Sequence, residues 1–299
     1  MNETTIEDKI NSTEIKTPDK QSFITNGDLT ALRVNNKGQF YRSNYLRGLL
    51  LYSLIIQYQP KTILEFGTGR GFGALSMARA IIDANLNSQI YTIDFRQFNE
   101  KQKWPIDYGS GPQVESLSLK DIWEKYFPQQ LIDKITLLTG KSHEVINEWK
   151  TNQFPSPDFI FIDGGHDYLS VKHDYYATLN ISNSNFKILF DDYVKKPKFG
   201  ICKLVDEEIE PIFDTTLIKT YSEWHPSNKS KENCYSSNMV LIDSDTSTVP
   251  IETYYKPNDI QTFLKNYKFK FVVRQWISKF KSKLLKFTIK PIWRYFRKF

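Results

Sequence analysis

The chain has few of the residues that make cross-links and no apolar run long enough to cross a bilayer. Its 299 residues include two cysteines, Cys202 and Cys234. These are too few and too far apart for a disulfide framework or a thiolate metal cage, so a reducing, cytoplasmic setting is expected. The longest apolar stretch in the body, Gly48 to Ile56, falls well short of the ~20 residues that span a membrane and is expected to be a buried helix. Residues 1–20 are polar and have no apolar core of the secretory-signal kind. Residues 1–40 are therefore expected to be a mobile leader or lid.

Acidic residues are absent from the strongly basic C-terminal region. Residues 265–299 hold twelve Lys or Arg and no Asp or Glu, leaving 28 bases against 34 acids elsewhere. The formal charge of +6 thus belongs to the tail, and a nucleic-acid-binding reading of the whole chain does not follow from it. Within the tail, Val273, Trp276, Ile277, Phe280, Leu284 and Phe287 recur at helical spacing among Arg274, Lys279, Lys281, Lys283, Lys286 and Lys290. Such a cationic amphipathic helix suits an anionic membrane surface, or docking on its own domain or a partner subunit of a homo-oligomer. RNA binding is the weaker reading, because no RNA module accompanies the charge.

The organising stretch is Ile63-Leu64-Glu65-Phe66-Gly67-Thr68-Gly69-Arg70-Gly71-Phe72-Gly73, an apolar strand running into a glycine cluster and then a helix. Glycines at 67, 69 and 71 allow positive φ and let a ligand lie against main-chain N–H groups. The dinucleotide fingerprint G-x-G-x-x-G is not met, because Phe72 stands where its third glycine belongs. Glu65, two places before the first glycine, would repel a pyrophosphate and suits a ligand with a cationic end. A tight βα turn holding no ligand is the alternative.

Around this turn the strand–helix alternation predicts a doubly wound, mostly parallel α/β sheet. A helix is expected over residues 41–57, strands over 62–66, 89–94, 135–138, 158–163 and 186–192, and a domain over 41–264. Asp94 ends the second strand, where an acid can bind both hydroxyls of a ribose or cap the strand end. Residues 95–117 read as a long loop whose aromatics face substrate. Ser142 opens the helix after the third strand and either contacts a ligand ring or caps that helix.

The last two strands end in Asp163 and in Asp191-Asp192. Neighbouring parallel strands bring their C-terminal ends to one edge, where three carboxylates repel unless a cation sits between them, and oxygen ligands suit Mg²⁺, Mn²⁺ or Ca²⁺. Capping of following segments is the plainer role for such acids. His166 follows in Asp163-Gly164-Gly165-His166 and is suited to remove a hydroxyl proton at neutral pH, or is a structural or capping histidine.

The acid-plus-glycine turn resembles motif I of the class I S-adenosylmethionine (SAM)-dependent methyltransferases. Asp163-Gly164-Gly165-His166, Asp191-Asp192-Tyr193, Gly200-Ile201 and Val205-Asp206-Glu207 resemble the macrocin O-methyltransferase-type branch and related domains of polysaccharide gene clusters. Over residues 45–210, the resemblance implies a Rossmann-like fold and SAM contacts by Glu65, Gly67, Gly69, Gly71 and Asp94, with Thr68 and Ser142 in the same set. It also implies a divalent cation, with Mg²⁺ first, on Asp163, Asp191 and Asp192, a base at His166, and a sugar hydroxyl of a glycan or lipid-linked glycan as acceptor. Cephalosporin hydroxylase-like proteins share much of the pattern. A hydroxylase, a nicotinamide oxidoreductase and a silent membrane-associated scaffold are the competing readings.

Overall fold

Central parallel strands are covered on both faces and so are built from unbroken apolar runs. Phe159–Ile162 and Ile188–Phe190 are such runs, buried throughout. The computed structural model describes residues 1–42, 45–182, 185–196, 199–220, 238–244 and 258–267. In chain order the elements are β1 (Asn2–Thr5), α1 (Ile6–Asn11), α2 (Lys20–Thr30), β2 (Arg33–Val34), β3 (Phe40–Tyr41), α3 (Leu46–Tyr58), β4 (Thr62–Phe66) and α4 (Phe72–Asp83). There follow β5 (Gln89–Asp94), β6 (Gln102–Asp107), β7 (Pro112–Leu117), α5 (Leu119–Tyr126), α6 (Gln129–Ile132), β8 (Ile135–Thr139) and α7 (Ser142–Asn147). The remainder is β9 (Phe159–Ile162), α8 (Tyr168–Ile181), β10 (Lys187–Tyr193), α9 (Ile201–Leu204), a π-helical turn over Val205–Ile209, β11 (Thr215–Lys219) and β12 (Asn238–Asp243).

Eight strands form one sheet in the order β1-β11-β12-β10-β9-β4-β5-β8. Among the described residues only β12 runs against its neighbours in this sheet, pairing antiparallel with β10 and β11. The chain leaves β4 toward β5 and β8, then returns to lay β9 on the other side of β4. The point between β4 and β9 is therefore where the winding reverses, and open α/β sheets bind ligands outside the strand ends at such a point.

Strand alternation assigns the two faces. Phe159, Phe161 and Leu189 join the cluster formed by α1, α3 and α4, whereas Phe190 meets Tyr175 of α8 at 6.0 Å between ring centroids. The expected strands are present.

Two expectations are corrected. Residues 1–5 are not a mobile leader: β1 pairs in parallel with β11 at the sheet edge, and Ile6 and Ile10 of α1 are buried in the core. Residues 95–117 are not one long loop, because β6 and β7 pair as an antiparallel hairpin from Gln102↔Leu117 to Asp107↔Pro112, although Phe95 and Tyr108 of this stretch are exposed. Trp104 and Ile106 face inward, fully buried, and Trp104 Nε1 donates to the Leu29 carbonyl of α2 at 2.7 Å.

The chain divides into two compact units, 1–254 and 255–299. The described part of the second is a helix over 258–267. The amphipathic pattern of 268–299 lies outside the described residues. Among the described residues no helix is long and apolar enough to cross a membrane.

Candidate functional site

The glycine turn leaves β4 with φ of 95°, 55° and 94° at Gly67, Gly69 and Gly71, values that only glycine adopts without strain. Each serves a different end. A Cβ at Gly67 would overlap the Asp163 backbone at the end of β9, so this glycine lets the two strand ends meet. A Cβ at Gly71 would overlap the Trp123 ring of α5. A Cβ at Gly69 would meet nothing within 4 Å, so the open face of the turn lies there.

Glu65 is 1% exposed and accepts a hydrogen bond from Thr92 Oγ1. Thr68 Oγ1 lies 2.6 Å from Thr92 Oγ1, completing a buried chain of three side chains. The carboxyl lies beneath the first turn of α4, where the Ala74 N–H is its backbone partner and Gly73 leaves it room. Burial pushes its pKa up to about 8. The group is then largely neutral at pH 7, so the expected repulsion of a pyrophosphate by its charge is weak here. Glu65 and Thr68 organise the turn from behind.

Asp94 ends β5 and is 9% exposed. Its Oδ2 accepts from Gly69 N and its Oδ1 from Arg96 N, both at 2.9 Å. It thus ties the open glycine to the neighbouring strand end, and each oxygen keeps a lone pair for further donors. Ser142 is the first helical residue of α7 and half-buried; Lys141 holds the cap position, and no side-chain cap bond forms. The capping role for Ser142 is not realised.

In the register of β9 and β10, Phe190 pairs with Ile162, so the next residues, Asp191 and Asp163, lie side by side. A register shift in β10 between Phe190 and Tyr193, with Asp192 in the left-handed region at φ 57°, turns the end of the strand. Asp191 is 3% exposed; its Oδ2 accepts from Arg47 Nη1 and its Oδ1 from Asp192 N at 2.7 Å. Burial raises the pKa of Asp191, opposed by the Arg47 charge. Burial, then Asp191 and Asp192, holds Asp163 well above the usual carboxylate range.

Asp192 Oδ2 lies 3.0 Å from His166 Nδ1. The His166 ring stacks on Phe199 with centroids 5.4 Å apart and planes at 26°, and its carbonyl accepts from Gly200 N at 2.7 Å. The imidazole is held at its edge, its face and its backbone, yet stays 47% exposed over the strand ends.

The expected three-carboxylate metal cage does not fit this arrangement. The charge of Asp191 is already met by the Arg47 guanidinium on Oδ2, its Oδ1 accepts from Asp192 N, and Asp192 holds His166. Among the described residues no group of three or more His, Cys, Asp or Glu is placed to hold a metal ion.

Sequence reasoning missed three residues that shape the site. Arg47 is the single charge in the apolar run Leu46–Tyr58, which was the available signal. Asp191 shares the strand parity of Leu189 and so faces α3, which is why Arg47 reaches it. Arg70 donates to the carbonyls of Leu32 and Pro105 and lies over the Trp104 ring, joining the glycine turn to the N-terminal segment and the hairpin. Burial lowers its pKa to about 9. Trp123 packs on Gly71 and donates to the Arg70 carbonyl at 3.2 Å.

No curated protein sequence matches the chain. Residues 64–193, from β4 to the end of β10, match the model of a methyltransferase-domain family. Among solved structures, an O-methyltransferase from Bacillus cereus in complex with SAH is similar at 16% identity and a TM-score of 0.50, over 80% of this chain and 100% of that one. The O-methyltransferase of tomaymycin synthesis from Streptomyces achromogenes, in complex with SAM, aligns at 14% identity and a TM-score of 0.47, over 79% and 96%. An SAH-bound methyltransferase from Podospora anserina aligns at 16% identity and 0.40, over 79% and 86%. Strand order, the family match over β4–β10 and the Bacillus cereus structure agree on the fold: the Rossmann-like, mostly parallel sheet of the class I methyltransferases.

Proposed function

We propose that the protein is a SAM-dependent O-methyltransferase whose acceptor is a sugar hydroxyl of a glycan or glycolipid. The observation that carries this reading is the junction of Gly67 with Asp163, which sets an open glycine turn and a held histidine on one edge of the sheet. SAM, when bound, supplies an electrophilic methyl carbon on a sulfonium. Gly69 presents its open face to that ligand and Asp94, at the next strand end, is placed for the ribose hydroxyls. Glu65 and Thr68 hold the turn in shape, and Ser142 borders the same edge at the start of α7.

His166 is the base. With Nδ1 directed to Asp192, its Nε2 takes the proton from the acceptor hydroxyl as the oxygen attacks the methyl carbon. Bound SAM would supply that methyl carbon and keep the C–S electron pair on sulfur as a neutral thioether, while the proton stays on the His166 imidazole until solvent removes it. Asp192 fixes the tautomer and steadies the imidazolium. No step is drawn through a metal, because Asp191 is already paired with Arg47.

The sugar acceptor is supported by the resemblance of the Asp163-Gly164-Gly165-His166 and Asp191-Asp192-Tyr193 motifs. The basic tail supports an acceptor carried at an anionic membrane, which liposome flotation of the full chain against a 1–264 truncation tests: equal flotation removes that part. The central reading is tested by calorimetric titration with SAM and with NAD(H), then mass spectrometry of surface glycans with and without the protein. SAM binding and a methyl-sized mass difference are expected; tighter NAD(H) binding or unchanged glycans would overturn it.

A further inference from the structure

The strand-end carboxylates pose an electrostatic problem that the chain solves internally. Asp191 is buried, and an isolated buried carboxylate is strongly disfavoured without a partner. Arg47 supplies that partner from the first turn of α3, its guanidinium on Asp191 Oδ2. This is a poor place for a cation in a helix, since the N-terminal end carries the positive pole of the helix dipole. The position is therefore explained by the carboxylate it meets rather than by the helix that carries it. The Arg47 side chain is 19% exposed, so the pair is largely screened from water. Arg33 of β2 adds positive potential at both Asp163 and Asp191.

We infer that Arg47 occupies the cation position of the Asp163–Asp191–Asp192 edge, so that a divalent ion binds there only where Arg47 is withdrawn or replaced. The Arg47 guanidinium brings its positive charge onto a carboxylate oxygen that a hard cation would need. The two cations would stand against the same carboxylate and repel each other. The inference concerns this chain's own residues and holds whether or not methyl transfer is the reaction.

The test is Mn²⁺ binding to the full chain, read by the loss of the free-ion EPR signal, with Mg²⁺ as competitor. Arg47→Gln keeps a hydrogen-bond donor for Asp191 while removing the charge; Arg47→Lys keeps the charge. Arg47→Gln is expected to bind Mn²⁺ at least about tenfold more tightly than the native chain, Arg47→Lys to behave like the native chain, and Arg47→Gln with Asp191→Asn to lose the gain. Native binding as tight as that of Arg47→Gln, or a gain that survives Asp191→Asn, would overturn the inference. Circular dichroism melts confirm that each variant is folded. SAM titration of the same samples reports separately on the proposed function.

Discussion

Gly67 and Asp163 meet backbone to backbone where the winding of the sheet reverses, and no side chain at position 67 fits between them. Gly67→Ala is expected to lose about 1–2 kcal/mol from the left-handed φ alone, with a further loss from displacing the β9 end. Gly69→Ala has open space around the new methyl group and should lose only the conformational part. Denaturant melts compare the two. A SAM titration in which Gly69→Ala loses about tenfold or more in affinity, beyond any loss of folding, reports a ligand lying over that face.

Trp123 covers Gly71 and hydrogen-bonds the Arg70 carbonyl, so it buttresses the turn from the side of α5. Trp123→Ala should destabilise the protein by about 3–5 kcal/mol, as large aromatic truncations in a core do. Arg70→Met should cost about 1–3 kcal/mol, because the carbonyls of Leu32 and Pro105 lose their donor inside the fold. Urea unfolding midpoints measure both.

Glu65 has a folded pKa of about 8 against a usual value of 4.5, so the folded state holds its proton more tightly than the unfolded chain does. Stability from this group is greatest below the unfolded pKa and falls as pH rises from about 4.5 to 8, at up to about 1.4 kcal/mol per pH unit. Glu65→Gln should remove that slope and be the more stable protein above pH 8. Denaturation at a series of pH values tests it: an unchanged slope would show that Glu65 is ionised in the folded state.

His166→Gln should lower the methyl-transfer rate by about 10²–10⁴-fold while leaving SAM affinity within a few-fold. Asp192→Asn should act through the histidine: a smaller loss in kcat and a displaced pH–rate profile, with the histidine still in place. Single-turnover kinetics separate the chemical step from binding. A parallel fall in SAM affinity for both variants would place His166 in cofactor binding rather than proton transfer.

How much of this was legible depends on whether a residue's partner is local. The strands around Leu64, Ile93, Ile160 and Leu189 announce themselves as apolar runs, and the topology then carries Asp163 and Asp191 to one edge without knowledge of any contact. Glu65 reads as a charge, because nothing local shows that Thr92 and the start of α4 will bury it. The partner of Arg47 is 144 residues away. The β6–β7 hairpin was missed for another reason. Trp104 and Ile106 alternate as a strand requires, but Pro105 between them and the glycines at the turn read as loop, and an isolated two-stranded ribbon tolerates that proline.

The pairing of β1 with β11 also bears on solubility. With residues 1–5 in place, the outer rim of β11 is satisfied by the chain's own backbone. Removing them would pass the sheet edge from the short, polar β1 (Asn2–Thr5) to β11, whose rim a second molecule can pair with more readily, so handling of the protein should leave the opening residues intact.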